Sequence, residues 1–400
     1  MNLTVYPQTL QGSVTVPASK SQAHRILICA AFADGPTEVE CRTTGEDIEA
    51  TVGCLQALGA ELKRTENGFS VVPGVYSGSE IPVLDCGESG ATLRFLLPLA
   101  GALGTGAVFR MKGRLPGRPL SPLWEEMERM GCSLRRISQT ELLLEGKLHP
   151  GMYTMRGDVS SQFISGLLLA LPLMDGDSRI RITGPMESGG YIAMTQAVMA
   201  QFGVNTEEYA VSAHAGYHSP GTARVEGDWS SAAFFLAADY LGSEVDLYGL
   251  DMKSLQGDRR VMELLPELRE GFCTICAAEI PDLIPVLAVV AAACHGAEFT
   301  HVRRLRLKES DRVASIAAML EALGGRVTVK EDSLLVEKAE FQGGTVDARS
   351  DHRIAMSAGI AATCCSGPVT ILGAECVGKS YPDFWEEYRR LGGNYEFDIR

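Results

Sequence analysis

The 400-residue chain is 46% hydrophobic and has 43 glycines, so it can bury large cores and is expected to form more than one domain. Its 36 Lys and Arg residues against 50 Asp and Glu residues give a formal charge of −14, which argues against nucleic acid or an anionic membrane as the main partner. No apolar run reaches membrane-spanning length and the N-terminus does not read as a signal peptide, so a cytoplasmic location is expected.

A sequence repeat occurs six times along the chain. In each copy an amphipathic helix ends in a glycine, and a short β-rich segment follows. Its glycines are Gly59, Gly131, Gly203, Gly271, Gly324 and Gly392. A glycine there supplies the left-handed residue that ends a helix. Each copy also contains a second, more apolar helix, such as "ATLRFLLPLAGAL" or "DLIPVLAVVAAAC", which is expected to be buried. Repetition at this period predicts symmetry-related units, hence two similar α/β domains of three units each.

The boundary between the two halves is expected where the third copy closes, near residue 227 in "RVEGDWSSAA". The first residues of the chain can cross over to join the second half. The predicted domains are therefore residues 1–19 with 228–400, and residues 20–227.

Polar side chains collect at the starts of the apolar helices in the first half. The stretches are "PASKSQAHR", the glycine-bracketed turn "DCGESGATLR", the loop "GRLPGRPLSPL" and "GDVSSQFISG". Cations, hydroxyls and closely approaching glycine backbone are suited to binding anions, although a surface lysine or a capping serine explains some of them. The residues singled out are Lys20, Ser21, Arg25, Gly90, Arg94, Arg114, Arg118, Ser160, Ser161 and Gln162.

In the second half, "EIPDLIPVLAVVAAAC" places Asp282 at the start of an otherwise wholly apolar helix, where an acid can be a cap or a catalytic group. The stretch "RLRLKESDRVASIAAML" contains Lys308, Glu309 and Arg312, with a helix expected to begin at Ser310 or Asp311.

The stretch "RSDHRIAMSAGIAA" predicts a buried helix that opens near Asp351, followed at once by His352 and Arg353. A helix N-terminus with two basic side chains could hold a phosphate or carboxylate. The alternative is that Asp351 is only a cap and Arg353 only a solvated charge. In "VGKSYPDFWEEY", Lys379 lies just before another helix.

The eleven cysteines are expected to be reduced thiols that pack as small hydrophobes. Cys273 and Cys276 have CxxC spacing, but no second pair or nearby histidine completes a zinc site, so no metal is expected.

Taken together, the ordered motifs resemble those of the 5-enolpyruvylshikimate-3-phosphate synthase family of enolpyruvyl transferases. The resemblance covers essentially the whole chain and rests on "KSQAHR", "GESGATLR", "GRPLSPL", "GDVSSQF", "ESGGY", "VEGDWSSAA", "IPDL", "LKESDR", "SDHRIAMS" and "GKSYPDF". It implies an α/β fold of two similar domains, each of three βαβαββ units, often called an inside-out α/β barrel.

The resemblance also implies a reaction, the transfer of the enolpyruvyl group of phosphoenolpyruvate to the 5-hydroxyl of shikimate 3-phosphate, in the shikimate pathway of aromatic amino-acid biosynthesis. It implies these two small-molecule substrates, no metal or organic cofactor, a monomer, and a target of glyphosate. The catalytic residues it implies are Asp282, Glu309 and Lys20. The residues implied to bind shikimate 3-phosphate are Lys20, Ser21, Arg25, Ser160, Ser161, Gln162, Ser188, Tyr191, Asp282 and Lys308. Those implied to bind phosphoenolpyruvate are Lys20, Gly90, Arg118, Gln162, Arg312, His352, Arg353 and Lys379.

Four positions depart from the family pattern: Glu88, Ala91, Phe95 and Arg304. The first two affect the expected shape and charge of the phosphoenolpyruvate pocket. One rival interpretation is enolpyruvyl transfer to a UDP-amino sugar, but that family typically has "KN" where this chain has "KS", and a cysteine in the loop that here reads "GRLPGRPL". A rival of another class is a non-catalytic anion-binding or scaffold protein of the same fold.

Overall fold

A computed structural model describes residues 1–74 and 76–398. Within these residues the helices, in chain order, are α1 Lys20–Ala31, α2 Glu46–Ala57, α3 Gly90–Leu103, α4 Leu123–Arg129, α5 Ser161–Ala170, α6 Gly189–Gln201, α7 Trp229–Tyr240, α8 Val261–Glu270, α9 Ile284–Ala293, α10 Arg312–Ala322, α11 His352–Ala362 and α12 Phe384–Arg390. The strands are β1 Asn2–Tyr6, β2 Gln11–Thr15, β3 Thr37–Glu40, β4 Glu61–Thr65, β5 Gly68–Val72, β6 Val83–Asp85, β7 Ala107–Arg110, β8 Cys132–Arg136, β9 Glu141–Gly146, β10 Met152–Arg156, β11 Ser178–Thr183, β12 Ala210–Val211, β13 Thr222–Arg224, β14 Glu244–Tyr248, β15 Cys273–Cys276, β16 Ala297–Thr300, β17 Val327–Val329, β18 Ser333–Val336, β19 Gly344–Asp347, β20 Val369–Leu372 and β21 Asn394–Asp398.

The chain divides into two compact units. Unit 1 contains Met1–Pro17 and the chain from Gly227 onward, and unit 2 is the continuous segment Ala18–Glu226. Each unit has its own hydrophobic core.

Three of the sheets formed by the described residues belong to unit 2, with strand orders β13-β3-β5-β4, β6-β7-β9-β8 and β10-β11-β12. In the second of these, β6 and β7 are parallel, whereas β9 pairs antiparallel with both β7 and β8. The parallel pair is joined through α3, and α4 precedes the hairpin, so this sheet and its helices form one βαβαββ unit.

Unit 1 has three sheets within the same described residues, with orders β19-β20-β1-β21, β15-β16-β18-β17 and β14-β2. The β15 sheet repeats the arrangement of a parallel pair followed by an antiparallel hairpin. The β19 sheet repeats it by borrowing β1, which pairs antiparallel with β20 and β21. The first strands of the chain therefore complete sheets that are otherwise made of its second half.

The odd-numbered helices are the buried apolar ones that the sequence predicts, because nearly every residue of α3, α5, α9 and α11 is buried. Helices α1, α3 and α5 contact one another in unit 2, as do α7, α9 and α11 in unit 1. Their N-terminal ends carry the polar residues that the sequence singled out.

Five of the six helix-ending glycines have the expected left-handed backbone, with φ between 79° and 109°. Gly271 is the exception, because its φ of 174° and ψ of −175° are extended. The prediction of a left-handed residue is wrong there. Helix α8 contains Pro266, and the chain leaves its end directly into β15.

Candidate active site

In unit 1, the start of α11 is organised by Asp351, which is fully buried. It is the N-cap residue and accepts a hydrogen bond from the Arg353 backbone N–H at 3.1 Å. Its carboxylate also accepts from the Ser310 hydroxyl at 2.9 Å and from Arg312 Nε at 3.0 Å. The predicted cap is confirmed, and Asp351 additionally connects α11 to α10.

Arg312, in the first turn of α10, is almost completely buried among three carboxylates. Its Nη1 donates to Asp282 at 2.7 Å and to the carbonyl oxygen of Pro281 at 3.4 Å. Its Nη2 donates to Glu309 at 2.7 Å. Burial alone would lower the pKa of the guanidinium, but Asp351, Glu309 and Asp282 outweigh burial and raise it. Arg312 is therefore charged at any working pH and bridges the two carboxylates predicted to move protons.

Asp282 lies just before Leu283, the N-cap residue of α9, so the interpretation of Asp282 as a simple cap is not supported. Its carboxylate accepts from Arg353 Nη2 at 3.2 Å and lies 3.5 Å from Lys308 Nζ, in addition to the contact with Arg312. Burial raises the pKa of this carboxyl, but the three cations outweigh burial and hold it well below its usual range. Arg353 is itself buried, so it is not the solvated charge of the alternative interpretation.

Lys308 and Glu309 lie in the segment before α10, as predicted, and Asp311 caps that helix by accepting from the Ala314 N–H at 3.1 Å. Burial lowers the pKa of Lys308 to about 8, with Asp282 opposing the shift and Arg312 adding to it. This ammonium can therefore lose its proton within a range that an activity assay can reach.

His352 and Lys379 are both buried, His352 in the first turn of α11 and Lys379 at the end of the 3-10 turn Ala374–Lys379. Lys379 Nζ donates to the Ser350 carbonyl oxygen at 2.8 Å. Arg349 and Ser350 both have left-handed φ values, of 50° and 55°, which are uncommon outside glycine. This backbone path presents the Ser350 carbonyl oxygen to Lys379 directly before the cap of α11.

Sequence reasoning missed Asp258, a buried carboxyl on the 3-10 turn Gly257–Arg260. It accepts a hydrogen bond from the Ser230 hydroxyl of α7. Burial and then the charge of Asp282 raise the pKa of Asp258 to about 7, although Arg353 opposes the shift. In the sequence this residue stands in "QGDRR" before an amphipathic helix, a context typical of an exposed cap.

In unit 2, Arg25 is buried and donates to groups from three helices. Its Nε donates to Thr195 Oγ1 at 2.6 Å, and its Nη2 donates to Ser165 Oγ at 3.3 Å and to the Tyr191 carbonyl oxygen at 3.1 Å. Its Nη1 donates to the Ser21 carbonyl oxygen at 2.5 Å. Burial lowers the pKa of Arg25 to about 10. Arg25 thus joins α1, α5 and α6, where the residues assigned to shikimate 3-phosphate begin.

Lys20 begins α1, and its Nζ lies 2.8 Å from the Asp47 carboxylate in the first turn of α2. One turn further on, His24 Nδ1 and Thr51 Oγ1 are 2.7 Å apart, and Thr51 is 2.7 Å from Thr92 of α3. Burial, together with Lys20 and Arg25, holds the pKa of His24 well below its usual value. A neutral histidine and two hydroxyls therefore connect the starts of three helices.

Gly90, Arg94, Arg118 and Gln162 lie together at the starts of α3 and α5. A Cβ added to Gly90 would lie 2.8 Å from Arg118 Nη1 and 3.0 Å from Arg94 Nη1. Arg94 Nη1 donates to Gln162 Oε1 at 2.7 Å. The family resemblance assigned the other three to substrates. The sequence singled out Arg94 without a specific role, and the structure shows that it contacts Gln162 and lies beside Gly90.

The hydroxyl groups assigned to shikimate 3-phosphate lie at two more helix starts. Ser160 caps α5 by accepting from the Gln162 N–H at 3.3 Å, and Ser161 is the buried first residue of that helix. Ser188 is the N-cap residue of α6 with a left-handed φ of 57°, and Tyr191 lies in its first turn. Ser160 is thus a helix cap, which is the alternative interpretation that the sequence left open for it.

One of the four departures from the family pattern, Phe95, contacts a residue of the predicted site. Phe95 packs on Arg25, whose guanidinium carbon is 4.8 Å from the ring centroid. The Glu88 carboxylate lies close to Gly113, because a Cβ on that glycine would be 2.4 Å from Glu88 Cδ. Ala91 packs against the core of unit 2, and Arg304 lies on the 3-10 turn Arg303–Leu307 that precedes Lys308.

Among residues 1–74 and 76–398, no group of three His, Cys, Asp or Glu side chains is arranged to hold a metal ion. The Sγ of Cys276 does lie 3.6 Å from His301 Nδ1, a contact that the sequence did not foresee.

Comparison with known proteins assigns the chain to a family. A profile of the family described as EPSP synthase (3-phosphoshikimate 1-carboxyvinyltransferase) matches residues 5–388. The chain belongs to the EPSP synthase family. A 3-phosphoshikimate 1-carboxyvinyltransferase from Clostridium botulinum (strain Alaska E43 / Type E3) is 39% identical, over 98% of this chain and 97% of the relative.

Solved structures of EPSP synthase and of a further enolpyruvyl transferase have the same fold. The EPSP synthase of Acinetobacter baumannii is 26% identical, with a TM-score of 0.79 over 99% of this chain and 100% of that one. The enolpyruvyl transferase NikO from Streptomyces tendae is 19% identical, with a TM-score of 0.73 over 99% of this chain and 98% of that one, which shows likeness of fold alone.

The predicted family, α/β enolpyruvyl-transferase fold and transferase activity in the shikimate pathway are confirmed by these matches. The rival interpretation as a non-catalytic scaffold is correspondingly disfavoured. Members of the EPSP synthase family bind shikimate 3-phosphate and phosphoenolpyruvate. None of the helices described within residues 1–74 and 76–398 has the length and apolar character needed to cross a membrane.

Proposed function

We propose that Asp282 and Glu309 are the proton-transfer groups of the enolpyruvyl transfer. The observation that carries the proposal is the sharing of Arg312, whose two terminal nitrogens each lie 2.7 Å from one of these carboxylates. One buried guanidinium thus fixes the two acids relative to each other. Enzymes commonly use such paired titratable groups in different environments for acid and base steps.

In the addition step, the oxygen of the 5-hydroxyl of shikimate 3-phosphate attacks C2 of phosphoenolpyruvate while its proton passes to Asp282. Glu309 delivers a proton to C3, and a tetrahedral adduct forms. In the elimination step, Glu309 takes a proton back from C3, the double bond between C2 and C3 forms again, and the bond from C2 to the phosphate oxygen breaks with its electron pair leaving on the phosphate. The proton held by Asp282 passes to this phosphate, so both carboxyl groups return to their starting states. Inorganic phosphate leaves, and the surrounding cations stabilise its charge.

The cations around Asp282 make it a weak base in the described geometry. Arg312, Arg353 and Lys308 stabilise its ionised form and so hold its pKa well below the usual range. A substrate carboxylate or phosphate that draws Arg353 and Lys308 to itself would remove part of this stabilisation. The proton affinity of Asp282 then rises when an anionic substrate is bound, which is when the base is needed.

In unit 2, we assign shikimate 3-phosphate to the hydroxyl-bearing starts of α1, α5 and α6, and the carboxylate or phosphate of phosphoenolpyruvate to the start of α3. Helix starts offer free N–H groups, and the cations beside them favour anions. The residues in this assignment are Lys20, Ser21, Arg25, Gly90, Arg118, Ser160, Ser161, Gln162, Ser188 and Tyr191. For unit 1, they are Asp282, Lys308, Arg312, His352, Arg353 and Lys379.

The experiment compares Asp282→Asn with the wild-type enzyme in a phosphate-release assay with shikimate 3-phosphate and phosphoenolpyruvate. Loss of a general base is expected to lower kcat by about a hundredfold or more, with substrate binding retained. Asp311→Asn is the matched control, because Asp311 caps the neighbouring helix α10 and has no role in the proposed reaction. Wild-type turnover in Asp282→Asn would reject the assignment.

A UDP-amino sugar offered as the acceptor in the same assay tests the rival enolpyruvyl transfer. Phosphate release with that acceptor, and none with shikimate 3-phosphate, would replace the proposed substrate. We also propose that the enzyme works as a monomer in the cytoplasm, in keeping with the biosynthetic role of its bacterial relatives. Light scattering after size-exclusion chromatography tests the monomer.

A further inference from the structure

Arg94 is the fifth residue of α3, one turn from its start, and its side chain is buried. It reaches two other segments at once. Nη1 donates to Gln162 Oε1 at 2.7 Å, and Nη2 donates to the Pro119 carbonyl oxygen at 3.3 Å. The guanidinium carbon also lies 5.5 Å from the ring centroid of Phe163, the residue after Gln162. The side chain therefore joins α3, the start of α5 and the loop that carries Arg118.

The contact with Gln162 fixes which way its amide faces. A guanidinium has donors and no acceptor, so it must bind the amide oxygen rather than the amide nitrogen. The two N–H groups of Gln162 Nε2 then face away from Arg94. A site for anionic substrates needs donors, and this orientation supplies two of them from a neutral side chain.

The contact with Pro119 acts on the neighbouring residue Arg118. The loop between β7 and α4 is rich in glycine and proline. Leu115 and Leu120 anchor it in the core of unit 2, and the bond from Arg94 fixes the segment next to Arg118. Gly90 lets both guanidinium groups approach the start of α3, because an added Cβ would lie within 3.0 Å of each. Two cations at one helix start favour an anion there.

We propose that Arg94 is a positioning residue for the reaction. It holds the Gln162 amide with its N–H groups available to the substrates, and it holds the Arg118 loop beside Gly90. This inference rests on the proposed function, in which Gln162 and Arg118 bind the substrates. Arg94 acts through these two residues and need not itself contact a substrate.

The kinetic experiment compares Arg94→Ala and Arg94→Lys with the wild type. Arg94→Ala is expected to raise KM for phosphoenolpyruvate about tenfold or more, because two donors to the supporting groups are lost together. Arg94→Lys is expected to recover only part of this loss, since an ammonium does not reproduce the planar fork of the guanidinium. In a Gln162→Ala background, the added effect of Arg94→Ala should shrink, because the two residues act in series.

The matched control is Arg389→Ala in unit 1. Arg389 also lies over an aromatic ring, 3.9 Å from the centroid of Tyr395, and donates to the carbonyl oxygen of that residue at 3.1 Å. Its loss should change stability without changing KM. Equal changes of KM in the two variants, or full additivity of Arg94→Ala with Gln162→Ala, would overturn the proposal.

A spectroscopic readout separates this inference from the proposed function. In the substrate-free protein, the side-chain amide resonances of Gln162, assigned by their absence in Gln162→Ala, should lie away from the positions of solvent-exposed glutamines. In Arg94→Ala they should move to those positions. Unchanged resonances would overturn the positioning role whatever the assay shows, whereas a wild-type enzyme that releases no phosphate would overturn the proposed function alone.

Discussion

At the level of single residues, Lys308 gives the site a charge that can be removed by pH. The pKa of its ammonium is lowered to about 8 from 10.5, mainly by burial. If its charge supports the reaction, kcat/KM should fall as pH rises above about 8, and Lys308→Arg should remove this limb because arginine stays protonated.

The effect of Lys308 on stability has the opposite sign. Between about pH 8 and 10.5 the unfolded chain keeps a proton that the folded protein has released, so this group makes folding more favourable as pH rises through that window. The measurements are pH profiles of kcat/KM and of urea unfolding for both proteins. The same alkaline limb in Lys308→Arg would exclude Lys308 as its source.

At Gly90, a single added methyl group should weaken the binding of one substrate and leave the binding of the other little changed. In Gly90→Ala the methyl meets the guanidinium ends of Arg118 and Arg94, which are flexible and can move aside. We expect KM for phosphoenolpyruvate to rise about tenfold and glyphosate to inhibit less, with KM for shikimate 3-phosphate little changed.

Gly53→Ala on α2 is the control for this change, because a Cβ at Gly53 meets no atom within 4 Å. It should leave both KM values unaltered. Equal increases for the two substrates in Gly90→Ala would show that the methyl disturbs the whole unit rather than one pocket.

At the level of elements, the start of α11 is held by one buried carboxylate that has two tasks. Asp351 caps the helix and is the counter-ion of Arg312, so Asp351→Ala leaves a buried guanidinium without one of its partners. We expect a loss of about 3–5 kcal/mol in the free energy of unfolding.

The comparison for this loss is Asp311→Ala at the start of α10, where a half-buried aspartate also caps its helix. Loss of a cap alone should cost about 1 kcal/mol. Urea unfolding followed by tryptophan fluorescence suits the measurement, because Trp229 and Trp385 are buried in unit 1. Similar losses in the two variants would mean that the ion pair of Asp351 adds nothing beyond the cap.

At the level of the whole molecule, the two units differ in how the chain builds them. Unit 2 is one continuous segment with its own core, so residues 18–226 alone should fold and unfold cooperatively. Residues 227–400 alone should not, because β1 lies between β20 and β21 in their sheet and supplies the fully buried Leu3 and Val5.

The two chain segments of unit 1 meet where the Asp228 N–H donates to the Pro17 carbonyl oxygen at 2.9 Å. A polypeptide that joins residues 1–17 to 227–400 through a short glycine-rich linker should therefore recover a folded unit 1. Thermal unfolding followed by circular dichroism compares the three polypeptides. Cooperative unfolding of residues 227–400 without the first strands would contradict this account.

The sequence by itself determined the features that depend on a few consecutive residues. The caps at Ser160 and Asp351 and the start of α10 were predictable because a cap bonds the backbone two or three residues onward. The six-fold sequence repeat was also predictable, since a buried helix and an amphipathic helix have different patterns of apolar residues. The resemblance then supplied the reaction and the residues assigned to it.

Tertiary structure decided which of these groups become partners. Packing of α9, α10 and α11 makes Asp282 the counter-ion of Arg312 and Arg353, although its own sequence context allowed a simple cap. In unit 1, burial of the turn Gly257–Arg260 against α7 brings Asp258 near this cluster. In unit 2, the packing of α3 on α5 places Arg94 against Gln162. Such pairs join elements far apart in the chain, so neither propensity nor periodicity encodes them, and only the burial that brings the helices together fixes their distances and charges.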